Sequence, residues 1–198
     1  LPEVPKARTV APSDLGGAKI LPGDPAGEDK DAALAKGRLV HLLLEHLPHA
    51  AVTDREALGR KLVSASADYT ADAEQLVADV SALIAMPDLA PLFSPETLFE
   101  VSITAPLGTS RMHGAIDLLQ IKDDHILAVD FKSNRLVPDK PEETPEGLLR
   151  QMGAYAAGLR EIYPTHRIET AILWTQSATL MRLPDALISN ALNRVSLP

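Results

Sequence analysis

Along this chain the apolar positions change period part-way, from a helical spacing to strict alternation. Val40 and the leucines around it recur at helical spacing, predicting a helix that Asp29 or Asp31 caps and that runs to about 47, where Pro48 stops it. Two more helices are predicted, from about 53 to 67 and from about 71 to 85, ahead of Met86-Pro87. From 97 the period becomes two: Phe99, Val101 and Ile103 alternate with Glu100, Ser102 and Thr104, which reads as a strand. Gly108-Thr109-Ser110 turns it into a second strand over 111–121, and Asp123-Asp124 turns that into a third over 126–132. Ile126-Leu127-Ala128-Val129 is apolar on both faces, as a central strand requires. A Pro- and Glu-rich loop over 138–145 precedes a helix to about 163 with proline in its first turn. A strand over 169–175, a short apolar run over 178–182 and a last helix after Pro184 follow. The plan is α/β, a mixed central sheet flanked by helices.

Residues 1–28 carry Pro2, Pro5, Pro12, Pro22 and Pro25 among several glycines, a linker composition, and residues 29–198 are expected to form one domain. The first residue is Leu rather than Met, so the expectation is a piece cut from a longer polypeptide. Composition narrows the chemistry. With no cysteine, thiolate zinc sites, disulfides and iron–sulfur clusters are excluded, which fits a cytoplasmic setting. Aromatics make up 4% of the chain, too few for a base-stacking platform. No apolar run approaches the roughly 20 residues of a membrane span, so no membrane partner is expected. The net charge of −8 weighs against autonomous capture of DNA, unless Lys132, Arg135, Lys140 and Arg150 make a basic mouth or a partner supplies the grip.

The candidate chemistry sits on the hairpin. Counted outwards from a two-residue turn at Asp123-Asp124, position 119 faces 128 and 117 faces 130, so Asp117 and Asp130 stand opposite each other. Lys132 falls on the same face, opposite Ala115. Like charges facing across a sheet are destabilising unless something positive lies between them, which favours a bound divalent cation over an ordinary strand carboxylate paired with a surface lysine. Such an ion, held by Asp117 and Asp130 with the Phe131 carbonyl beside them, could activate water and polarise a phosphate, with Lys132 orienting water or neutralising charge. Gly37, His41 and Glu45 recur every fourth residue, on one helix face. His41 on that leucine-rich helix is either a satisfied core histidine or a ligand, and Gly37 suggests close approach of another backbone. Gln151 and Tyr155, one turn apart beside Arg150, could touch phosphate or sugar oxygens or simply form a helix surface. Glu100, on the neighbouring strand, is a further ligand or a network carboxylate.

Taken in order, Gly37…His41…Glu45, Gly114-x-x-Asp117, Asp130-x-Lys132 and Gln151-x-x-x-Tyr155 resemble the RecB-type branch of the PD-(D/E)XK nucleases over about residues 30–176. Ala11-Pro12-Ser13-Asp14-Leu15 and Val129-Asp130-Phe131-Lys132-Ser133-Asn134-Arg135 look like the C-terminal nuclease domain of AddA subunits in AddAB helicase–nucleases. The resemblance implies a restriction-endonuclease-like fold over 29–198. It implies His41, Asp117, Asp130 and the Phe131 carbonyl as ligands of Mg²⁺, with Mn²⁺ or Ca²⁺ able to substitute in binding. Asp117, Asp130 and Lys132 would be catalytic, with Gln151, Tyr155, Arg135 and Glu100 as DNA-binding or active-site support. The implied activity is exo- or endonucleolytic hydrolysis of single-stranded DNA in double-strand break repair and recombination. The implied partners are helicase domains of the same polypeptide and a second, AddB-like nuclease subunit, in a bacterial cytoplasm. Two other expectations compete with it: a catalytically silent nuclease fold that docks within a repair complex, and a stand-alone restriction-type enzyme.

Overall fold

The computed structural model describes residues 8–22, 30–66 and 73–195. Asp29 and Asp72, and the remainder of the proline-rich leader, lie outside them. In chain order the elements are β1 (Thr9–Val10), α1 (Lys30–His46), α2 (Arg55–Ala65), α3 (Ala73–Ala85), β2 (Leu98–Leu107), β3 (Ser110–Lys122), β4 (His125–Lys132), α4 (Glu146–Ile162), β5 (Arg167–Trp174), β6 (Thr179–Leu183) and α5 (Asp185–Asn193). The first helix follows its leucines: Leu39, Val40, Leu43 and Leu44 are buried, and a 3₁₀ turn over Leu47–His49 begins at the last of the series, where Pro48 removes a backbone donor.

All six strands form one mixed sheet. The hairpins close where the turn chemistry says they should, with Leu107 paired to Ser110 around Gly108 (φ 59°) and Lys122 paired to His125 around Asp123-Asp124. The chain leaves β4 through α4 and returns as β5 parallel to it, in register from His125↔Arg167 to Lys132↔Trp174, and β6 adds antiparallel. One core lies between the sheet and α4–α5, built on Met112, Ile116, Ile126, Met152 and Ile172. The other lies between the sheet and α1–α3, built on Leu43, Leu44, Val77, Leu118 and Phe131. Each such side chain, fully buried, contributes on the order of 1.5–3 kcal/mol, so both faces of the central strand are held by substantial apolar contact. β4 has apolar neighbours on both sides, as its sequence predicts.

The sheet is locally incomplete, and that break positions the site. β2 pairs along β3 from Ser110 to Leu119 and so occupies one edge of it. The other edge is shared: β4 pairs with Leu118 to Lys122, and β1 pairs in parallel with Arg111 and Met112. Among the described residues, no strand therefore pairs with 113–117 on that edge. Part of the leader fills the opening. Pro12 packs against Gly114, where a Cβ would stand 2.9 Å from the proline ring. Leu15 is buried in the α4-side core, and its carbonyl accepts from Arg150 Nη1 at 3.2 Å. Gly17 lies back to back with Gly147, whose N–H donates to Ala18 O at 2.8 Å, satisfying an amide of the α4 N-terminus. The Lys19 carbonyl accepts from Asn134 Nδ2 at 3.2 Å. Residues 8–22, the described part of the stretch whose composition reads as a linker, thus form a strap over the gap.

Strand alternation also slips beside the gap. Phe99 packs into the α1–α3 core, but Val101 and Ile103 pack into the α4–α5 core. Across from them Ile116 belongs to the α4–α5 core and Leu118 to the other. Glu100, at φ 49°, sits between the two halves of β2, and Asp117 between those of β3. The alternating stretch does form a strand, but Phe99 lies on the opposite face from Val101 and Ile103. A left-handed backbone at Glu100 carries the strand from one core to the other.

Candidate active site

The slip and the gap together aim polar groups at one point at the end of the sheet. One ring nitrogen of His41 and one carboxylate oxygen each of Glu100 and Asp117 lie within 4.8 Å of one another. α1 delivers His41, the distorted point of β2 delivers Glu100, and the matching point of β3 delivers Asp117. His41 Nε2 stands 3.1 Å from the Phe131 carbonyl, an acceptor, so Nε2 carries the proton. Nδ1 is left facing Asp117 Oδ1 at 3.6 Å. Burial lowers the His41 pKa, but the hydrogen bond and charge of Asp117 outweigh it and the net shift is upward. Glu100 is also raised, by burial and by the charges of Asp117 and Glu45. The negative charge gathered here raises the pKa of both Glu100 and His41, which is the electrostatics of a site that favours a cation.

Next to this trio lies a second group. Asp130 is 3% exposed, and its Oδ2 is ion-paired with Lys132 Nζ. Its Oδ1 accepts from Gln151 Nε2 at 2.7 Å. Burial pushes the Asp130 carboxyl upward, Lys132 opposes that, and Asp117 adds to it. Burial would lower the Lys132 pKa, yet Asp130 holds it above the ordinary lysine value, so the ammonium keeps its proton. Tyr155, 4% exposed, donates to Ala115 O at 2.5 Å and so satisfies one of the gap carbonyls. Burial and the nearby Asp130 charge keep its phenol neutral.

These positions can be set against the sequence expectations. The hairpin turn has the expected two residues, but the ladder ends at Leu118↔Val129. Beyond it the strands part, and the Phe131 N–H donates to Asp117 Oδ2 at 2.6 Å instead of to a strand carbonyl. The three-donor cluster contains Glu100 where Asp130 was expected, because Asp130 is engaged by Lys132 and Gln151. The Phe131 carbonyl, expected as a ligand, faces His41. Gln151 and Tyr155 are buried and act on Asp130 and Ala115 respectively, while Arg135 is exposed in the loop after β4. What approaches Gly37 is not a backbone but the Ser133 hydroxyl, 2.9 Å from where a Cβ would be. Sequence reasoning missed Ser133 and the strap residues Gly17 and Lys19. The paired glycines Gly16-Gly17, both at positive φ, were the one available signal.

The donor set suits a hard divalent ion. Donors about 2.1 Å from Mg²⁺ lie at most about 4.2 Å from one another, so His41, Glu100 and Asp117 need only close slightly. All three offer oxygen or imidazole nitrogen, and thiolate is absent. The cleft onto which His41 and Glu100 open measures ≈ 560 Å³ and is walled by α1 (Gly37, Arg38, His41) and by residues 131–134. Among the described residues no helix is long and apolar enough to cross a membrane.

A sequence model of the PD-(D/E)XK nuclease superfamily matches residues 17–190. The chain belongs to that superfamily. The six-stranded mixed sheet flanked by helices is consistent with its restriction-endonuclease-like fold. Among solved structures, the chain is similar to a protein of Eubacterium rectale described as a candidate exonuclease, with 14% identity and a TM-score of 0.53. That match covers 85% of this chain and 65% of the other, so the chain spans about two-thirds of that protein's length. At such identity the likeness concerns the fold alone. A second structure, of SSO0001, matches at 14% identity and a TM-score of 0.34 over 82% of this chain and 85% of its own. No curated protein matches the chain. Superfamily membership makes this a nuclease-fold protein, and nucleases of this superfamily generally use divalent metals.

Proposed function

We propose that the chain is a Mg²⁺-dependent deoxyribonuclease that hydrolyses phosphodiester bonds in single-stranded DNA. The observation that carries the reading is the convergence of His41, Glu100 and Asp117 within 4.8 Å, beside the buried Asp130–Lys132 pair. A divalent ion bound there would polarise the phosphate and lower the pKa of water. The chain's own groups do the rest. His41 presents Nδ1 because the Phe131 carbonyl holds its other nitrogen. Gln151 fixes the Asp130 carboxylate, and Asp130 in turn fixes Lys132. Held protonated, Lys132 supports the negative charge that grows on the phosphoryl oxygens, and it is not the base in this state. Asp130, beside the trio, would add a carboxylate to the set that holds such an ion while keeping Lys132 in place next to it.

The sequence resemblance supports the finer parts of the reading. They are an AddA-type domain, helicase domains elsewhere in the same polypeptide, an AddB-like partner subunit and a role in break repair. A motor that delivers the strand also reconciles the net charge of −8 with a DNA substrate. Calorimetric titration with Mn²⁺ tests the metal centre. The expected result is one binding event that Asp117→Ala abolishes. A chain that takes up no Mn²⁺ would instead be a silent docking module.

A further inference from the structure

A second cavity, of ≈ 390 Å³, adjoins the catalytic cleft. It opens beyond the carboxyl ends of β4 and β5, where Ser133 and Thr175 follow the last parallel pair, Lys132↔Trp174. The carboxyl ends of parallel strands are the usual place for a ligand in an α/β sheet. Helix α1 divides the two spaces. Lys36 and Val40, one turn apart, line the second cavity, while Gly37 and His41, also one turn apart, line the catalytic cleft. Ser133 lines both, and the missing side chain of Gly37 lets the helix close on it. The floor is apolar (Val40, Leu76, Val80 and Leu83), and the rim is polar and carries both Lys36 and Asp79. Lys36, Ser133 and Gln176 have no side-chain hydrogen bond or ion pair with any described residue.

We propose that this cavity is a nucleotide subsite. It seats the unpaired base of the nucleotide next to the scissile phosphate on the apolar floor. The Gln176 amide reads the edge of the base, and Lys36 holds a phosphate at the rim. The size falls within the range of about 300–1,000 Å³ typical of small-ligand pockets. With Asp79 offsetting Lys36 at the rim, the cavity suits one base and one phosphate rather than a run of phosphates, and the Ser133 it shares with the catalytic cleft places it beside the cut. A base still paired in a duplex cannot enter, so the subsite selects an unpaired strand at the cut position. This inference rests on the nuclease reading and deepens it.

The test is fluorescence anisotropy of a 5′-labelled ten-residue oligothymidylate in Ca²⁺, with wild type, Lys36→Ala, Gln176→Ala and Ala82→Trp. Ala82 lines the cavity from an exposed helix face, so the tryptophan fills the space without touching the core. Each variant is expected to bind three- to tenfold more weakly. In Mn²⁺, Lys36→Ala should raise KM by a similar factor and leave kcat unchanged. Wild-type affinity in all three variants, with measurable binding by the wild type, overturns the subsite alone. An unchanged KM in Lys36→Ala likewise overturns the subsite alone, and a wild type that neither binds in Ca²⁺ nor cleaves in Mn²⁺ overturns the nuclease reading together with it.

Discussion

Replacing Lys132 by methionine should destabilise the metal-free protein while keeping the shape of the side chain. Asp130 is 3% exposed and the Lys132 side chain 21%, so the ammonium is the main counter-charge for a carboxylate that has almost no water. Removing one partner of a buried pair costs about 3–5 kcal/mol. The low end, about 3 kcal/mol, applies here because Gln151 still donates to one oxygen. Neutralising both partners in Asp130→Asn/Lys132→Met should recover about 2 kcal/mol of that loss. The sign of the pH dependence is also fixed. Without Lys132, burial and the charge of Asp117 both raise the Asp130 pKa. The folded protein then keeps a proton that the unfolded chain loses above about pH 3.9. Stability therefore falls as pH rises from that value to the folded-state pKa, by at most about 1.4 kcal/mol per unit. Urea unfolding in EDTA at pH 5 and pH 7 measures all of this. The single variant should lie closer to the double variant at pH 5 than at pH 7. A single variant within about 1 kcal/mol of wild type, against the 3–5 expected of a broken buried pair, refutes the reasoning, as does a double variant no more stable than the single.

Three other outcomes follow from the same geometry. Gly147→Ala would put a Cβ 2.8 Å from the Ala18 and Gly17 carbonyl oxygens, so overpacking of about 1–3 kcal/mol is expected, and an unchanged urea midpoint would contradict the strap contact. Glu100→Gly relieves a left-handed backbone at φ 49°, so the metal-free protein should gain about 1 kcal/mol while Mn²⁺ affinity drops at least tenfold; a loss of stability with affinity intact would count against strain at the ligand. Burial lowers and Asp117 more strongly raises the His41 pKa, so Mn²⁺ must displace a proton near and below neutrality, and affinity measured by calorimetry should fall between pH 8 and pH 6. His41→Asn should flatten that fall, and an equally steep fall in the variant would place the proton elsewhere.

Much of the fold could be read from periodicity. The leucines of α1, the two-residue turn at Asp123-Asp124 and the doubly apolar run of β4 each have one physical solution. The strap could not be read in this way. A two-residue strand carries no period, and its prolines and glycines look like a linker until Gly114 and Gly147 are seen to leave room for them. The slip at Glu100 was equally hidden, because Phe99 and Val101 look alike in an alternating pattern and only a left-handed residue between them sends them to opposite cores. For the site, spacing brought Asp117, Asp130 and Lys132 to one hairpin, and His41 to a face of α1. It could not tell which carboxylates point at a common centre. That is decided where the β3–β4 ladder stops, since Asp117 then caps the Phe131 amide and Asp130 turns to Lys132.

The proposed activity is metal-dependent phosphodiester hydrolysis at the cluster that α1, β2 and β3 bring together. Cleavage of an end-labelled single-stranded oligonucleotide by the full 198-residue chain tests it most directly, in Mn²⁺ or Mg²⁺, in EDTA and with Asp117→Asn alongside. The expected result is slow cleavage that EDTA stops and that Asp117→Asn abolishes. Cleavage that persists in EDTA or in Asp117→Asn would contradict it.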